Sequence, residues 1–147
     1  MINVSYSIDK SKVYDDVAML TAYVGAKKTD DVSYDIVSTT EENQEMLERF
    51  WKESIETLTN AIKRFNVTSN ESGNICTIQL QLSDSYNTLL TNTIQKGLES
   101  YLINNIVSKW FTITSKDDAK QYATEAGINL DGVMSKILYK KPIRPIL

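Results

Sequence analysis

The stretch TEENQEMLERFWKESIETLTNAIKRF, residues 40–65, decides the fold class of this 147-residue chain. Its apolar side chains recur every three or four residues, as on one face of an α-helix: Leu47, Trp51, Ile55, Leu58, Ile62 and Phe65. Glutamates crowd the first turns, where the helix dipole favours negative charge. Serine and threonine at 38–40 can form capping boxes with Glu41 and Glu42. The stretch predicts a helix over about residues 40–65, roughly 40 Å long at 1.5 Å per residue.

The segment before this helix predicts a first helix over about residues 10–25. Its apolar positions have helical spacing: Val13, Val17, Leu20 and Val24. Asp9 is placed to cap this helix, and Gly25 stands where a left-handed residue ends many helices. The residues at 2–8, INVSYSI, alternate apolar and polar, which indicates a short strand or an ordered arm.

Two further helices are predicted after residue 82. The first spans about 84–111 behind the cap Ser83-Asp84-Ser85, and Asn104-Asn105 within it marks a bend or a polar contact. The second begins at the capping box Ser115-x-x-Asp118, and Gly127 is expected to kink or split it.

A change of hydrophobic period predicts a β-hairpin at about 65–82, after the second helix. Over ICTIQLQL, residues 75–82, apolar and polar side chains alternate, as in a strand with one buried face. An isolated hairpin is marginal in water, so this one must pack on a helix or pair with another chain. The predicted fold class is therefore mostly α. A bundle of about four helices with this inserted hairpin forms one domain over 1–138, and 139–147 form an extended C-terminal arm.

Composition excludes several kinds of chemistry. The chain has no histidine and one cysteine, which removes Cys/His zinc sites and Ser-His or Cys-His nucleophiles. We therefore predict that the protein is not an enzyme and holds no cofactor. The N-terminus lacks the pattern of a signal peptide, and no apolar run is long enough to span a bilayer. A single cysteine fits a reducing compartment such as the cytosol.

Reactive and aromatic side chains have ordinary structural explanations. Carboxylates that could bind Mg²⁺ cluster in the connector and at the start of the second helix: Asp30, Asp31, Asp35, Glu41, Glu42 and Glu45. Solvation and the helix dipole account for them. Cys76 is predicted to pack as a small apolar side chain. Core packing is also predicted for the aromatic residues on helical stripes: Trp51, Tyr101, Trp110 and Phe111.

Two segments indicate assembly with other chains. The hairpin has an edge that can pair outside the domain, and the arm carries apolar side chains that need a docking groove, although simple disorder is the alternative for the arm. The predicted interface residues are Asn70, Glu71, Gly73, Thr77, Gln79 and Gln81 in the hairpin, with Tyr139, Lys140, Lys141, Pro142, Ile143, Arg144, Pro145, Ile146 and Leu147 in the arm. Charge is also split, because residues 1–82 carry net −5 and residues 83–147 carry net +2. Opposite patches of this kind would suit head-to-tail contact between copies.

Three segments carry a resemblance to a known family: DVAMLTAYVG at 16–25, ERFW at 48–51 and LYKKPIRP at 138–145. With these segments and this layout, the chain resembles the head–tail connector (adaptor, or neck-ring) proteins of tailed bacteriophages, of the crAss-like phage type. The resemblance implies a structural virion protein that forms a homo-oligomeric ring of twelve copies below the portal. The implied partners are copies of itself, the portal and other neck or tail proteins. DNA would pass through the channel without sequence-specific binding, no membrane would be involved, and assembly would take place in the bacterial host cytoplasm.

Two other functions stay open. One is a small non-enzymatic helical module for binding or regulation that acts as a dimer, which a sharp two-subunit mass would favour. The other is a metal-dependent enzyme, which tight Mg²⁺ or Mn²⁺ binding at Asp30, Asp31 and Asp35 would favour.

Overall fold

The computed structural model describes residues 1–26 and 43–138 of the chain. Within these ranges the elements are β1 (Ile2–Asp9), α1 (Lys10–Ala26), α2 (Gln44–Ala61), β2 (Thr68–Ser72), β3 (Ile75–Leu82), α3 (Thr91–Thr114) and α4 (Lys116–Leu138). The fold is mostly helical with a small antiparallel sheet, which confirms the predicted class. The predicted arm at 139–147 and the connector at 27–42, including its capping boxes, lie outside the described residues.

The sheet has the strand order β1-β3-β2, and both pairings are antiparallel. The predicted hairpin is present, with Gly73 at a φ of +61° in the turn between β2 and β3. The N-terminal segment is a strand that pairs along the whole of β3, from Ile2 opposite Leu82 to Asp9 opposite Ile75. One edge of the hairpin is therefore already occupied within the chain, and β3 is the central strand.

One face of this sheet packs on the helices and supplies part of the core. Its buried side chains are Tyr6 and Ile8 on β1 and Cys76, Ile78, Leu80 and Leu82 on β3. The aromatic residues predicted for the core are buried as well: Trp51, Tyr101, Trp110 and Phe111. Cys76 is 1% exposed, so its predicted role as a small core side chain is confirmed.

Helices α3 and α4 form an antiparallel pair at close approach. A Cβ atom added at Gly97 of α3 would lie 2.8 Å from Cγ2 of Val133 on α4, so glycine permits this contact. Asn104 donates a hydrogen bond to Asn129 Oδ1 at 2.8 Å, which confirms the polar contact predicted there. The split predicted as one outcome at Gly127 does not occur, because α4 runs without a break from Lys116 to Leu138.

Several predicted helix ends are wrong for local reasons. The helix predicted over 84–111 begins only at Thr91. Ser83 starts a turn instead of a helix. A 3₁₀ turn follows, in which Asn87 Oδ1 accepts a hydrogen bond from the Leu89 amide at 3.1 Å. Serine and asparagine side chains stabilise such turns as readily as helix caps. The helix predicted over 40–65 ends at Ala61, and Lys63–Phe65 form a 3₁₀ turn. Helix α1 continues through Gly25 to Ala26.

Candidate functional site

The outward face of the sheet is lined mainly by uncharged polar side chains, with the charged Asp9 and the apolar Ile75 at one end. Because successive residues of a strand point to opposite faces, the positions between the buried ones all lie on this outer face. They are Asn3, Ser5 and Ser7 on β1, Thr77, Gln79 and Gln81 on β3, and Thr68, Asn70 and Ser72 on β2. We call these nine residues the polar face. Thr77 is half-buried and the other eight are exposed.

The strand pairing arranges the polar face in rows across the sheet. Ser5, Gln79 and Thr68 form one row. Neighbouring strands lie about 4.8 Å apart, and rows repeat about every 7 Å along them, so the face is small. Asp9 and Ile75 lie opposite each other at one end of it. Serine, threonine, asparagine and glutamine hydroxyl and amide groups both donate and accept hydrogen bonds. The polar face can therefore bind a polar protein surface without needing an opposite charge there.

Strand β2 adds an open edge beside the polar face. In the part of the chain that the structure describes, β2 pairs only with β3, and all five of its residues are exposed. The outer edge of such a strand carries unpaired amides and carbonyls, which can pair with a strand of another chain. The opposite edge of the sheet is partly covered by α3, because the Ser7 amide donates to Gln95 Oε1 at 3.3 Å.

The hairpin residues predicted for an interface fall in three places. Asn70, Thr77 and Gln79 lie on the polar face, and Gly73 lies in the turn. Gln81 also lies on this face, where its Oε1 accepts from Asn66 Nδ2 at 2.9 Å. Glu71 lies on the inward side, because it pairs with the buried Cys76. The arm residues predicted beside them are outside the described ranges.

The β1 half of the polar face was missed by sequence reasoning. Asn3, Ser5 and Ser7 lie opposite Gln81, Gln79 and Thr77 in the antiparallel pairing. The available signal was the alternation INVSYSI, which matches the alternation of β3. That pattern gives the strand and its two faces, but it does not say which strand is its partner.

Glu71 belongs to a partly exposed cluster of charged and aromatic side chains on the inward side of the sheet. The Trp51 indole N–H donates to Glu71 Oε1, and Lys10 Nζ lies 3.8 Å from the Glu71 carboxylate. Lys10 also donates to Glu48 Oε1 at 2.7 Å, and Tyr14 Oη donates to Glu48 Oε2 at 2.7 Å. These contacts join the start of α1 to α2 and to the hairpin, so Glu71 fixes the hairpin on the domain.

The electrostatic contacts of this cluster favour an ionised Glu48 and a protonated Tyr14. Burial alone raises the pKa of Glu48, but hydrogen bonds from Lys10 and Tyr14, with the charges of Lys10 and Lys52, outweigh it and lower the pKa below its usual value. Burial and the hydrogen bond to Glu48 raise the pKa of Tyr14. Lys10 Nζ lies 5.5 Å from the centre of the Trp51 ring, within the range of a cation–π contact. The cluster is thus a paired, structural set of groups.

The described ranges offer few groups of side chains that could bind a metal ion. Residues 1–26 and 43–138 hold no group of three or more cysteine, aspartate or glutamate side chains placed to bind an ion. Burial raises the pKa of the Cys76 thiol to about 11, so it is a weak nucleophile at neutral pH. Of the acidic cluster proposed for Mg²⁺, only Glu45 lies in the described residues, exposed in the first turn of α2.

Within the described residues, open clefts lie beside the helices. One, of about 320 Å³, is formed by α1 and α3 and is lined by Asp16, Met19, Leu20, Ser100, Ile103 and Asn104. Another, of about 420 Å³, lies beside the end of α4 and is lined by Asn87, Leu90, Ser135 and Lys136. Neither lining pairs an acid with a base for proton transfer.

No family model, curated protein or solved structure matches the chain. Across the described residues, no helix combines the length and the apolarity needed to cross a membrane. In residues 1–26 and 43–138, the polar face, the open β2 edge and the clefts are surfaces on which contact with another molecule can be proposed.

Proposed function

We propose that this chain is a non-enzymatic structural subunit of a phage virion, a head–tail connector or neck-ring protein that forms a ring of copies below the portal. The observation that carries the proposal is the polar face, where nine neighbouring side chains carry no charge. Lysine and glutamate are common on surfaces that meet only water, and charged residues are depleted at the centre of protein interfaces, although serine, of which this face has three, is depleted there too. The absence of charge and the hydrogen-bonding groups of the polar face support contact with protein.

A ring requires two different surfaces on each subunit that fit each other. The sheet supplies one such surface, and it lies in the acidic part of the chain, residues 1–82. Helices α3 and α4 supply the second, although the net +2 of residues 83–147 comes from the three cations of residues 139–147 and residues 83–138 carry net −1. Head-to-tail contacts of this type close into a ring when the rotation between copies allows it. The net charge of −3 would also limit adhesion of DNA that passes through the channel.

The mass of the full-length chain in solution tests this proposal. We expect one closed species of many copies by mass photometry, seen as a ring by negative-stain electron microscopy. The double variant Ser5→Lys/Gln79→Lys places two positive charges in one row of the polar face, and we expect it to lose the ring while its circular dichroism stays unchanged. The control Gln44→Lys/Asn60→Lys adds the same charge at exposed positions of α2, outside both proposed contact surfaces, and should keep the ring.

One observation also supports the second candidate, a dimeric binding or regulatory module. The polar face can donate and accept hydrogen bonds at every row, so two copies could join face to face without repulsion. A two-subunit mass that persists on dilution, and that Ser5→Lys/Gln79→Lys abolishes, would favour this function over the ring. A chain that stays monomeric at every concentration would contradict both.

A further inference from the structure

The cleft between α1 and α3 has an apolar floor and an acidic rim. Leu20 and Ile103 are half-buried, and Met19 keeps 63% of its surface exposed, although it is a large apolar side chain. Asp16 supplies the charge at the rim, with Ser100 beside it. A ligand that covers this cleft must offer apolar side chains and, at its edge, a positive charge or hydrogen-bond donors.

Asp16 is available for such a ligand. In residues 1–26 and 43–138, no ion pair involves Asp16 or its neighbour Asp15. Both carboxylates lie on α1, one to two turns before Met19 and Leu20. A cation brought to this rim would therefore gain a partner without displacing an ion pair within these ranges.

The segment YKKPIRPIL, residues 139–147, has the matching chemistry. It carries three positive charges and no acidic side chain, with apolar side chains at Ile143, Ile146 and Leu147. Pro142 and Pro145 restrict its backbone, which lowers the entropy lost when such a segment binds. The other segment outside the described ranges, residues 27–42, carries two basic and five acidic side chains and has the same sign as Asp16. Charge therefore favours residues 139–147 as the occupant.

The second cleft is a poorer match for the same segment. Lys136 lines it, so the three cations of residues 139–147 would meet a like charge. The cleft between α1 and α3 has Asp16 in its lining and, among the described residues there, no basic side chain.

Position along α3 sets how far the segment must reach. Helix α4 ends at the level of Leu90, whereas the cleft lies at Ser100 to Asn104, about 15 Å further along the α3 axis at 1.5 Å per residue. Nine extended residues reach at most about 30 Å, so the segment is long enough for its own cleft or for that of a neighbouring copy. A ring needs contacts between copies, and only the second arrangement provides one. Resting on the proposed ring, we infer that residues 139–147 of one copy bind the α1–α3 cleft of the next.

Peptide binding tests the cleft directly. The probe is a fluorescently labelled peptide of residues 139–147, and the protein is the full-length chain with Ile143→Asp/Ile146→Asp, which disables its own segment. We expect saturable binding by fluorescence anisotropy. Adding Met19→Asp should weaken it about tenfold or more, because a carboxylate would be buried in the apolar part of the cleft. Asp16→Lys should also weaken it, and added salt should do the same through screening.

The matched control is Ile128→Asp, which places the same charge at an exposed apolar position of α4 outside the cleft. Ile128 is 57% exposed, close to the exposure of Met19. We expect the Ile128→Asp chain to bind the peptide as the parent does. Equal binding by the Met19→Asp and Ile128→Asp chains, or no saturable binding to the parent, would overturn the inference.

Mixing two full-length variants tests whether the segment comes from another copy. Met19→Asp keeps the segment and loses the cleft, while Ile143→Asp/Ile146→Asp keeps the cleft and loses the segment. Neither should form rings alone, and together they should form a complex of one copy of each. Peptide binding without this mixed complex would overturn the assignment to a neighbouring copy.

Failure of this inference and failure of the ring can be told apart. A ring that survives Met19→Asp would leave the proposed function standing and overturn the cleft as its contact. If the parent chain never forms a ring, but the peptide binds specifically and the two variants form the mixed complex, the cleft contact is supported and the connector function is contradicted.

Discussion

The two faces of the same sheet meet opposite surroundings, although their residues alternate along one strand. On β3, Ile78 is fully buried against the helices, while its neighbour Gln79 is exposed on the polar face. The inner face holds the sheet to the helical body. The outer face contributes little to the core, so the fold does not determine its side chains and they can serve a contact with another molecule. Two adjacent residues of one strand therefore have different roles, because one stabilises the core and the next lies on the outer surface. Substitutions at single positions can test this difference.

The largest difference is expected between Ile78→Ala and Gln79→Ala. Removing the buried Ile78 side chain leaves a cavity under the sheet, which should lower the free energy of unfolding by about 2–5 kcal/mol. Gln79→Ala should change it by less than about 0.5 kcal/mol, as is usual for exposed positions. Urea unfolding followed by circular dichroism at 222 nm measures both. Similar losses for the two variants would mean that the outer face also contributes to the core.

A smaller difference in the free energy of unfolding is expected between Glu71→Ala and Asn70→Ala on β2, where no residue is apolar. Glu71→Ala leaves the Trp51 indole N–H without its acceptor and Lys10 with one partner fewer, and should cost about 1–2 kcal/mol, since Glu71 is 40% exposed. Asn70→Ala, on the polar face, should cost less than about 0.5 kcal/mol. Urea unfolding followed by tryptophan fluorescence checks both. Glu71→Gln keeps an acceptor and should fall between them, whereas a neutral Glu71→Ala would show that the cluster does not hold the hairpin.

The pH dependence of stability should trace to the same cluster and not to the polar face. The pKa of Glu48 is lowered in the folded chain, so its ionisation stabilises the fold above its usual pKa of 4.5. This contribution is lost as the pH falls from there through the lowered, folded-state pKa. Glu48→Gln should therefore reduce stability at pH 7 and flatten the fall in stability between pH 5 and 3. Urea midpoints across this range measure it, with Glu56→Gln, exposed on the same helix, as the control.

Much of the fold follows from local patterns in the sequence. The spacing of Leu47, Trp51 and Leu58 predicts α2, and the alternation over 75–82 predicts β3 with the correct inner face. Helix starts were less predictable. Ser83 can cap a helix or begin a turn, and the choice depends on how the chain joins β3 to α3. Such a choice is made by tertiary packing, which no local pattern contains.

The candidate site could be predicted only in part from the sequence, because strand pairing also depends on tertiary packing. Thr77 and Gln79 follow from the alternation of β3, but the contribution of β1 depends on a pairing between residues about 80 positions apart. On β2, the sequence TSNES offers no apolar residue to mark the inner face. Glu71 was therefore assigned to the interface with its neighbours. Its inward position is set by the register with Cys76, which only the structure gives.

The smallest effect on stability, and the sharpest test of the two faces, is expected from thiol labelling. Burial raises the pKa of Cys76 to about 11, so iodoacetamide at pH 8 should modify the native chain slowly and the urea-unfolded chain fast. Asn70→Cys places a second thiol on the polar face, at the exposed position opposite Thr77, where a monomer should label quickly with stability changed by less than about 0.5 kcal/mol. In the full-length assembly, the thiol introduced by Asn70→Cys should be protected, and adding Ser5→Lys/Gln79→Lys should restore its reactivity. Equal protection of that thiol with and without the lysines would mean that assembly does not cover the polar face.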